Sequence, residues 1–471
     1  MDGLIYAYHV PKSSAQQQYT AARLAALAEE RKLRKSLSEL PEHIERLERI
    51  SSCESASRES GGGTTIPTGN RPAHRGESHG AMDAARANNT SSSSSSSSRS
   101  EHAHQSLLNN PFELRYGRRY LRELPYPLPV DLVELQRQNL RTLLSCQVFG
   151  RAICAPGATK KVPRKVLEIG CGSAYWSSMC HEYFSSLGHP NVSFTGLDVA
   201  PLAPDLKKQG IDWTFVQHDV RRLPLPFDDE AFDLVMLKDL SLALPLGVPF
   251  QEFLDEAIRT LRAEGTLEIW ESDHVLRSLL PHPPPPPSRE PQDRETANRT
   301  ATFLIAPGTP FVPAQNKYLQ HANTWISEAL NRRSLPPLPC AGMAQVLYQE
   351  TEFLKGVGIR RVAIPLGELR WERESVKSAH DSPMSNKGKA RLSDNPLTAD
   401  QAALRQTALI TVLQMIESLE PLLKEVSGKN TEEWSHWWAS LMVDLMDPTR
   451  GALTGECLEV GAWWATKLSG Q

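Results

Sequence analysis

The chain has 471 residues, of which 40% are apolar and 23% charged, and these ordinary values exclude a wholly disordered protein. The formal net charge of −3 gives no general attraction to nucleic acid or to an anionic membrane surface. The seven cysteines are odd in number and form no CxxC pair, which favours a reducing compartment over a disulfide framework.

Targeting and membrane signals are weak in this sequence. The first residues, MDGLIYAYHV, are too short and too polar a stretch for a signal peptide, and no apolar run approaches the ~18 residues of a membrane helix. We therefore expect an intracellular protein, cytoplasmic and/or nuclear, that does not use a membrane. The basic cluster Arg115–Arg122 is interpreted as a solvated surface, with binding of RNA or phosphate as the disfavoured alternative.

Residues 1–50 are predicted to form a helical arm, in which leucines and an isoleucine recur at spacings of three and four between Leu33 and Leu47. Pro41 divides this run into two short helices. The stripe suits an arm packed on its own domain, or alternatively a coiled coil through which residues 14–50 bind a partner protein. Residues 51–105, which include the serine run Ser91–Ser98, have too few apolar side chains to fold and are predicted to be a disordered linker.

From residue 106 the sequence becomes structured again. Asp131 is a natural N-cap for a helix whose apolar face would contain Leu132, Leu135, Leu140, Leu143 and Leu144. Five strands are then predicted in KVLEIG, VSFTGLDV, WTFVQHDV, AFDLVMLKDL and TLEIWES, with helices in SAYWSSMCHEYFSSLG and FQEFLDEAIRTLRAEG. This alternation predicts a parallel, doubly wound sheet.

The C-terminal part is predicted to finish that sheet. Residues 281–300 are interpreted as an exposed Pro-rich break, and helices are predicted within 311–350, 400–426 and 431–447. GIRRVAIPLGELRWE and ECLEVGAWWATK are predicted as the last two strands. The expected fold is therefore α/β: a Rossmann-like, doubly wound, seven-stranded sheet, mostly parallel with an antiparallel last hairpin, plus helical insertions and a disordered N-terminal linker.

The segment VLEIGCGSAYWS, residues 166–177, carries the main chemical signal. Glu168 ends a buried strand, and Gly170 and Gly172 then allow a sharp turn in which a ligand can lie against the backbone at the start of a helix. A dinucleotide motif would need glycine where this chain has Tyr175. A carboxylate two residues before the first glycine repels a pyrophosphate but attracts a sulfonium or ammonium group.

Three further elements follow at the ends of the next strands. Asp198, 26 residues after Gly172, is placed to accept hydrogen bonds from both hydroxyl groups of a ribose. Asp219 can accept an adenine amino group, with the N–H of Val220 beside the ring. LPFDDEAFDLVMLKDL places the residues Leu237, Lys238 and Asp239 at the edge of the same site.

These motifs, in this order, resemble those of class I S-adenosylmethionine-dependent methyltransferases over about residues 165–271. The resemblance implies S-adenosylmethionine as cofactor and the following binding residues: Glu168, Gly170, Cys171, Gly172, Asp198, Asp219, Val220 and Leu237. One departure is Ala174, where the family usually has a third glycine. The segment YGRRYLRELPYPLPVDLVELQRQ is loosely similar to fungal velvet-complex-type (LaeA-like) methyltransferases, which implies an N-terminal lid over the cofactor.

The resulting domain model has a lid at 106–150, a cofactor-binding core at 165–273, and insertions at 274–356 and 366–455 on the substrate side. Asp239, Glu271, Asp273 and His274 lie at the carboxyl ends of the fourth and fifth core strands, and Asp239 and His274 are the two candidates for a catalytic role.

No metal site is expected, because Cys171, Cys180 and His181 lack metal-ligand spacing. The expected activity is methyl transfer to a small-molecule or protein acceptor. The alternatives are a non-catalytic S-adenosylmethionine-binding scaffold and a nicotinamide enzyme.

Overall fold

The computed structural model describes residues 107–245, 247–283, 291–372, 397–446 and 453–469. The arm at 1–50, the linker at 51–105 and almost all of the polar loop at 374–397 lie outside these ranges, so the predictions for them remain predictions. The described residues belong to one compact unit, Asn89–Gln471. None of their helices is long and apolar enough to cross a membrane.

Seven strands form the centre of the sheet: β3 (Lys165–Ile169), β4 (Ser193–Asp198), β5 (Trp213–Gln217), β6 (Phe232–Lys238), β7 (Leu261–Ser272), β11 (Leu354–Pro365) and β12 (Glu456–Lys467). Their spatial order is β5-β4-β3-β6-β7-β12-β11. The first five are mutually parallel, whereas β12 is antiparallel to both β7 and β11. The prediction of a mostly parallel sheet with an antiparallel last hairpin is confirmed. Three short strands extend it: β8 (Arg277–Leu279) pairs with β12, β10 (Phe311–Pro313) pairs with β8, and β9 (Phe303–Leu304) pairs with β11.

Helices cover both faces of this sheet, so the parallel strands are buried on both sides. Alternate residues along each strand therefore enter different cores. Val166 and Met236 pack on one side with helix α3 (Tyr175–Ser186). Leu167 and Leu237 pack on the other side with helices α4 (Val248–Thr260) and α7 (Pro339–Gln349). The carboxyl ends of β3 to β7 meet at one edge, where α/β sheets bind ligands.

The segment before the sheet forms a hairpin, β1 (Phe112–Arg115) and β2 (Arg118–Leu121), followed by helix α1 (Leu132–Phe149) and the short helix α2 (Pro156–Lys160). The Asp131 carboxylate accepts a hydrogen bond from the Glu134 N–H at 3.1 Å, as expected of an N-cap. The predicted apolar face of α1 is wrong in part, because Leu132 is 67% exposed and Leu140 36% exposed. The helix instead buries polar residues: Glu134, Arg137, Arg141, Thr142 and Ser145.

The insertions are mainly helical and include α5 (Pro291–Thr300), α6 (Lys317–Asn331), α8 (Ala399–Ser418), α9 (Glu420–Ser427) and α10 (Thr431–Met446). Helix α5 corrects the interpretation of 281–300 as an exposed break. Pro291 occupies the first helical position, where proline is tolerated, and Thr296 and Thr300 are buried. Trp325, Trp434 and Trp437 form one aromatic cluster between α6 and α10, with ring centroids 4.8 to 6.1 Å apart.

Candidate active site at the carboxyl edge of the sheet

One open pocket of about 1110 Å³ lies at the carboxyl edge of the parallel strands. Residues of the strand ends form one wall, and residues of the N-terminal segment and α1 form the other. Its predicted members are Gly170, Gly172, Asp198, Asp219, Val220, Lys238, Asp239 and His274. Apolar residues line much of the remainder: Leu121, Leu124, Leu128, Leu135, Leu242 and Met415 among them. The N-terminal segment thus lines part of the pocket, and its role as a lid stays a prediction.

The glycine loop has the backbone conformation that its sequence requires. Gly170 and Gly172 have φ angles of +71° and +50°, and a Cβ on Gly170 would lie 2.5 Å from Leu240 Cδ2. Ala174 also has a positive φ, +55°. A left-handed conformation costs a non-glycine residue roughly 1 kcal/mol, so glycine would suit this position better than alanine.

Glu168 lies beneath this loop and does not line the pocket. It is buried, and the Ser177 hydroxyl donates to its Oε2 at 2.6 Å, while Oε1 has no hydrogen-bond partner among the described residues. Burial raises the pKa of Glu168 to about 7, against the opposing effects of Ser177 and Lys238. Cys171 and Leu237 are buried in the core next to the loop, and they also lie off the pocket wall.

Asp198 and Asp219 occupy neighbouring strand ends, as predicted. The Asp198 carboxylate accepts hydrogen bonds from the Gly172 N–H at 2.9 Å and the Ala200 N–H at 3.2 Å, and burial raises its pKa. Asp198 therefore ties the glycine loop to the end of β4. Asp219 is buried and paired with Arg221, whose Nη2 lies 2.7 Å from Asp219 Oδ2.

At the end of β6, Lys238 Nζ donates to Asp239 Oδ2 at 2.8 Å. Burial acts to raise the pKa of Asp239, but Lys238 and Arg141 outweigh it and hold this pKa at about 2. A carboxylate with so low a pKa is a poor proton acceptor. The structure thus gives no support to Asp239 as the base, and the catalytic role of His274 stays a prediction.

His274 belongs to a buried chain of hydrogen bonds with two further residues. Its Nε2 lies 3.1 Å from the Ser241 hydroxyl, which lies 2.7 Å from Glu271 Oε2, and the Ser241 N–H donates to Glu271 Oε1 at 2.9 Å. His274 Nδ1 has no partner among the described residues. Burial and the nearby Asp239 raise the pKa of Glu271 to about 8, and burial and Arg141 lower the pKa of His274 to about 3. Ser241 links the two groups and was missed from sequence, where a lone serine gives no signal.

The opposite wall carries two arginines that were also missed. Arg137 is 3% exposed and binds Glu134 through Nε and Nη2, at 3.0 and 2.6 Å for the shortest contacts. Glu134 in turn accepts a hydrogen bond from the Ser418 hydroxyl of α8 at 2.8 Å. Arg141, one turn further along α1, is 6% exposed and lines the pocket. The RxxxR spacing on a helix was the available signal, because it places both side chains on one face.

Among the described residues, one cluster has metal-ligating side chains close together: Asp273, Cys340 and Glu459. Arg277 and Arg361 both pair with Glu459, and the Asp273 Oδ1 accepts the Cys340 N–H at 3.0 Å. These contacts account for the buried carboxylates as an ion-pair network. Asp273, a candidate from sequence, thus belongs to this network and is absent from the pocket wall.

The pocket residues fit an adenosyl cofactor with a cationic methyl-bearing end. The glycine loop lets a ligand approach the backbone, Asp198 and Asp219 supply acceptor oxygens, and Glu168 adds an acid beneath the loop. No arginine or lysine lies within the loop itself, residues 170–174, as a pyrophosphate would favour.

Comparison with known proteins also indicates a domain that binds an adenosyl cofactor. Residues 166–265 match a family model described as a methyltransferase domain. This segment is thus similar to a methyltransferase domain. Its cofactor is S-adenosylmethionine, so the nicotinamide alternative is discarded. The similarity to LaeA-like proteins has no support from these comparisons.

Individual relatives match only parts of this chain. A phthiotriol/phenolphthiotriol dimycocerosates methyltransferase of Mycobacterium tuberculosis is 37% identical over 132 residues, covering 25% of this chain and 44% of its own length. A malonyl-[acyl-carrier protein] O-methyltransferase of Legionella pneumophila is 33% identical over 98 residues, covering 20% of this chain and 32% of its own. The chain thus spans less than half of the length of each of these two relatives.

Solved structures resemble the fold at a low level. A Haemonchus contortus phosphoethanolamine N-methyltransferase in complex with S-adenosylhomocysteine is 10% identical, with a TM-score of 0.31 over 72% of this chain and 59% of its own. The [4+2]-cyclase SpnF is 14% identical, with a TM-score of 0.30 over 71% of this chain and 96% of its own. Scores this low carry no argument about activity.

Proposed function

We propose that the chain is an S-adenosylmethionine-dependent methyltransferase that methylates a hydroxyl oxygen of an apolar small molecule. The observation that carries this proposal is the unpartnered Nδ1 of His274, on the wall of an otherwise largely apolar pocket. A base is needed when the acceptor arrives protonated, as a hydroxyl does. The methyl donor is the domain's cofactor, and the protein supplies orientation and removal of water.

The chain Glu271–Ser241–His274 explains how a proton leaves the acceptor. When Glu271 is ionised, the Ser241 hydroxyl donates to it and His274 Nε2–H donates to Ser241, which leaves a lone pair on Nδ1. The acceptor oxygen gains the methyl carbon while the sulfur–methyl bond breaks and its electron pair stays on sulfur. The hydroxyl proton passes to Nδ1, and the shared hydrogen bonds shift one proton to Glu271.

When Glu271 is protonated, the same hydrogen bonds reverse direction, and Nδ1 carries a proton instead of a lone pair. Since the pKa of Glu271 is about 8, the active arrangement forms as the pH rises through that value. The name of the Legionella relative, an O-methyltransferase, is consistent with an oxygen acceptor. A protein acceptor is less well supported, because apolar side chains make up so much of the pocket wall.

The test uses the full chain, S-adenosylmethionine with a labelled methyl group, and a panel of apolar alcohols and phenols. We expect label transfer to at least one member, with a rate that rises with pH around 8. The variants H274Q and E271Q should lose this pH-dependent rate and keep the affinity for S-adenosylhomocysteine. Saturable binding of S-adenosylhomocysteine without methyl transfer to any hydroxyl compound would refute this proposal and favour the non-catalytic scaffold. Transfer that is unchanged in H274Q would refute the role of His274.

Two expectations remain proposals beside this one. The loose similarity of the N-terminal segment to LaeA-like methyltransferases supports only its role as a lid. An intracellular location, cytoplasmic and/or nuclear, is proposed from the sequence alone and would be tested by microscopy of a tagged protein.

A further inference from the structure

The arginine and lysine side chains that line the pocket are paired with carboxylates, with one exception among the described residues. Arg137 is paired with Glu134, Arg221 with Asp219, and Lys238 with Asp239. Arg141 forms no ion pair, although it is 6% exposed. A buried charge without a partner is strongly unfavourable, and its presence calls for a ligand of opposite charge.

The free atoms of Arg141 have the geometry for one kind of ligand. Its Nε and Nη2 are both buried and without a hydrogen-bond partner among the described residues. These two N–H groups form the fork that binds both oxygens of a carboxylate in parallel. Nη1 of Arg137, on the same face of α1, is unpartnered as well and adds a third donor.

The position of Arg141 assigns it to the acceptor end of the pocket. Two of the groups with the largest electrostatic effect on Arg141 are Asp239 and Glu271, at the ends of β6 and β7. Arg141 also acts on His274, whose pKa its charge lowers. Two other α1 residues lie at the glycine loop: Asn139 Oδ1 accepts a hydrogen bond from the Ser173 hydroxyl at 2.6 Å, and Gln138 Oε1 would lie 3.8 Å from a Cβ on Gly172. Arg141 thus lies on the side of His274.

We propose that Arg141 is a carboxylate-binding residue and that the methyl acceptor is an apolar molecule carrying both a hydroxyl and a carboxylate group. This inference rests on the proposed function, which it extends to a substrate class. The apolar walls near Leu124, Leu128 and Met415 take the body of the molecule. Binding of the anion also reduces the positive field of Arg141 at His274, so the imidazole becomes a better base once the acceptor is in place.

The experiment measures binding of dodecanoate and dodecanol to the full chain by calorimetry, with and without S-adenosylhomocysteine. We expect dodecanoate to bind at least tenfold more tightly than dodecanol. R141Q should weaken dodecanoate binding by about 10- to 100-fold and leave dodecanol and S-adenosylhomocysteine binding unchanged. R141K should restore part of the affinity, because it keeps the charge and loses the fork. R332Q, which removes an exposed arginine directly after α6, is the matched control and should leave the binding of all three compounds unchanged.

The possible outcomes separate this inference from the proposed function. Equal affinity for dodecanoate and dodecanol would overturn the carboxylate site, even if S-adenosylhomocysteine binds normally. Weakened S-adenosylhomocysteine binding in R141Q would assign Arg141 to the carboxylate of the cofactor and also overturn it. Failure of S-adenosylhomocysteine to bind the unmodified chain would refute the proposed function, while the dodecanoate comparison would still decide the role of Arg141. If R141Q does not melt cooperatively, the comparison of the two probes on the unmodified chain and R141K decides.

Discussion

Replacing Glu271 by glutamine is expected to stabilise the folded protein increasingly as the pH rises from 5 to 8. Burial and the charge of Asp239 raise the pKa of Glu271 from an ordinary 4.5 to about 8. Between these two values the unfolded chain has lost the proton while the folded protein retains it. The contribution of this group to stability is therefore complete below pH 4.5 and is lost as the pH rises through 8. Glutamine is neutral in the folded and in the unfolded chain, so it does not lower the free energy of unfolding over this pH range.

The size of the effect follows from the two pKa values. Each pKa unit corresponds to about 1.4 kcal/mol, so the loss in the unmodified protein reaches at most about 5 kcal/mol at pH 8. Because Glu271 titrates together with its neighbour Asp239, we expect roughly 2–4 kcal/mol. The glutamine amide can keep the geometry, since its oxygen accepts the Ser241 N–H and its nitrogen donates to the Ser241 hydroxyl.

Urea unfolding at pH 5, 6, 7 and 8 measures this difference. Asp273, whose pKa is raised to about 7 by burial, titrates in both proteins, so its contribution largely cancels. Glu328→Gln is the control, because Glu328 is an exposed residue paired with Arg332. A difference between E271Q and the unmodified chain that stays constant within about 0.5 kcal/mol over this range would refute the raised pKa and, with it, the pH switch of His274.

Three further predictions concern the pocket. Arg141→Met should raise the free energy of unfolding by about 1–3 kcal/mol in thermal melts, because it removes an unpaired buried charge, whereas a lowered stability would mean that Arg141 has a structural partner. Asp198→Ala should weaken S-adenosylhomocysteine binding by about 1–3 kcal/mol in calorimetry, and unchanged binding would contradict the ribose assignment. Gly170→Ala should destabilise the fold by about 1–3 kcal/mol, since its Cβ would meet Leu240, while Gly188→Ala, with open space around the new Cβ, should cost less; equal losses would contradict the close approach.

The sheet and the cofactor motifs could be predicted from sequence because each depends on neighbouring residues. A strand buried on both faces is a short run of apolar residues, such as KVLEI or FDLVMLK, whatever the rest of the chain does. The residue at the end of each strand, such as Asp198, then necessarily lies at the common carboxyl edge. The antiparallel hairpin of β11 and β12 followed from the same pattern.

The acceptor side could not be predicted, because it depends on contacts between distant segments. Ser241 and His274 are 33 residues apart, and nothing local to either residue indicates the hydrogen bond between them. Helix α1 was misjudged for a related reason. Its leucines suggested an ordinary amphipathic helix, but the buried face is set by the pocket and by α8, whose Ser418 binds Glu134.

The inverted character of α1 is itself an argument for function. A helix that served only to cover the sheet would be more stable with Leu132 and Leu140 inside and with its arginines in solvent. This helix instead exposes Leu132 and Leu140 and buries Arg137 and Arg141, of which only Arg137 has a carboxylate partner among the described residues. Proteins tolerate such a loss of folding stability at sites where a polar group must contact a ligand. The buried guanidinium of Arg141 is therefore best explained by a ligand in the pocket, since the described residues offer no hydrogen-bond partner to its Nε and Nη2.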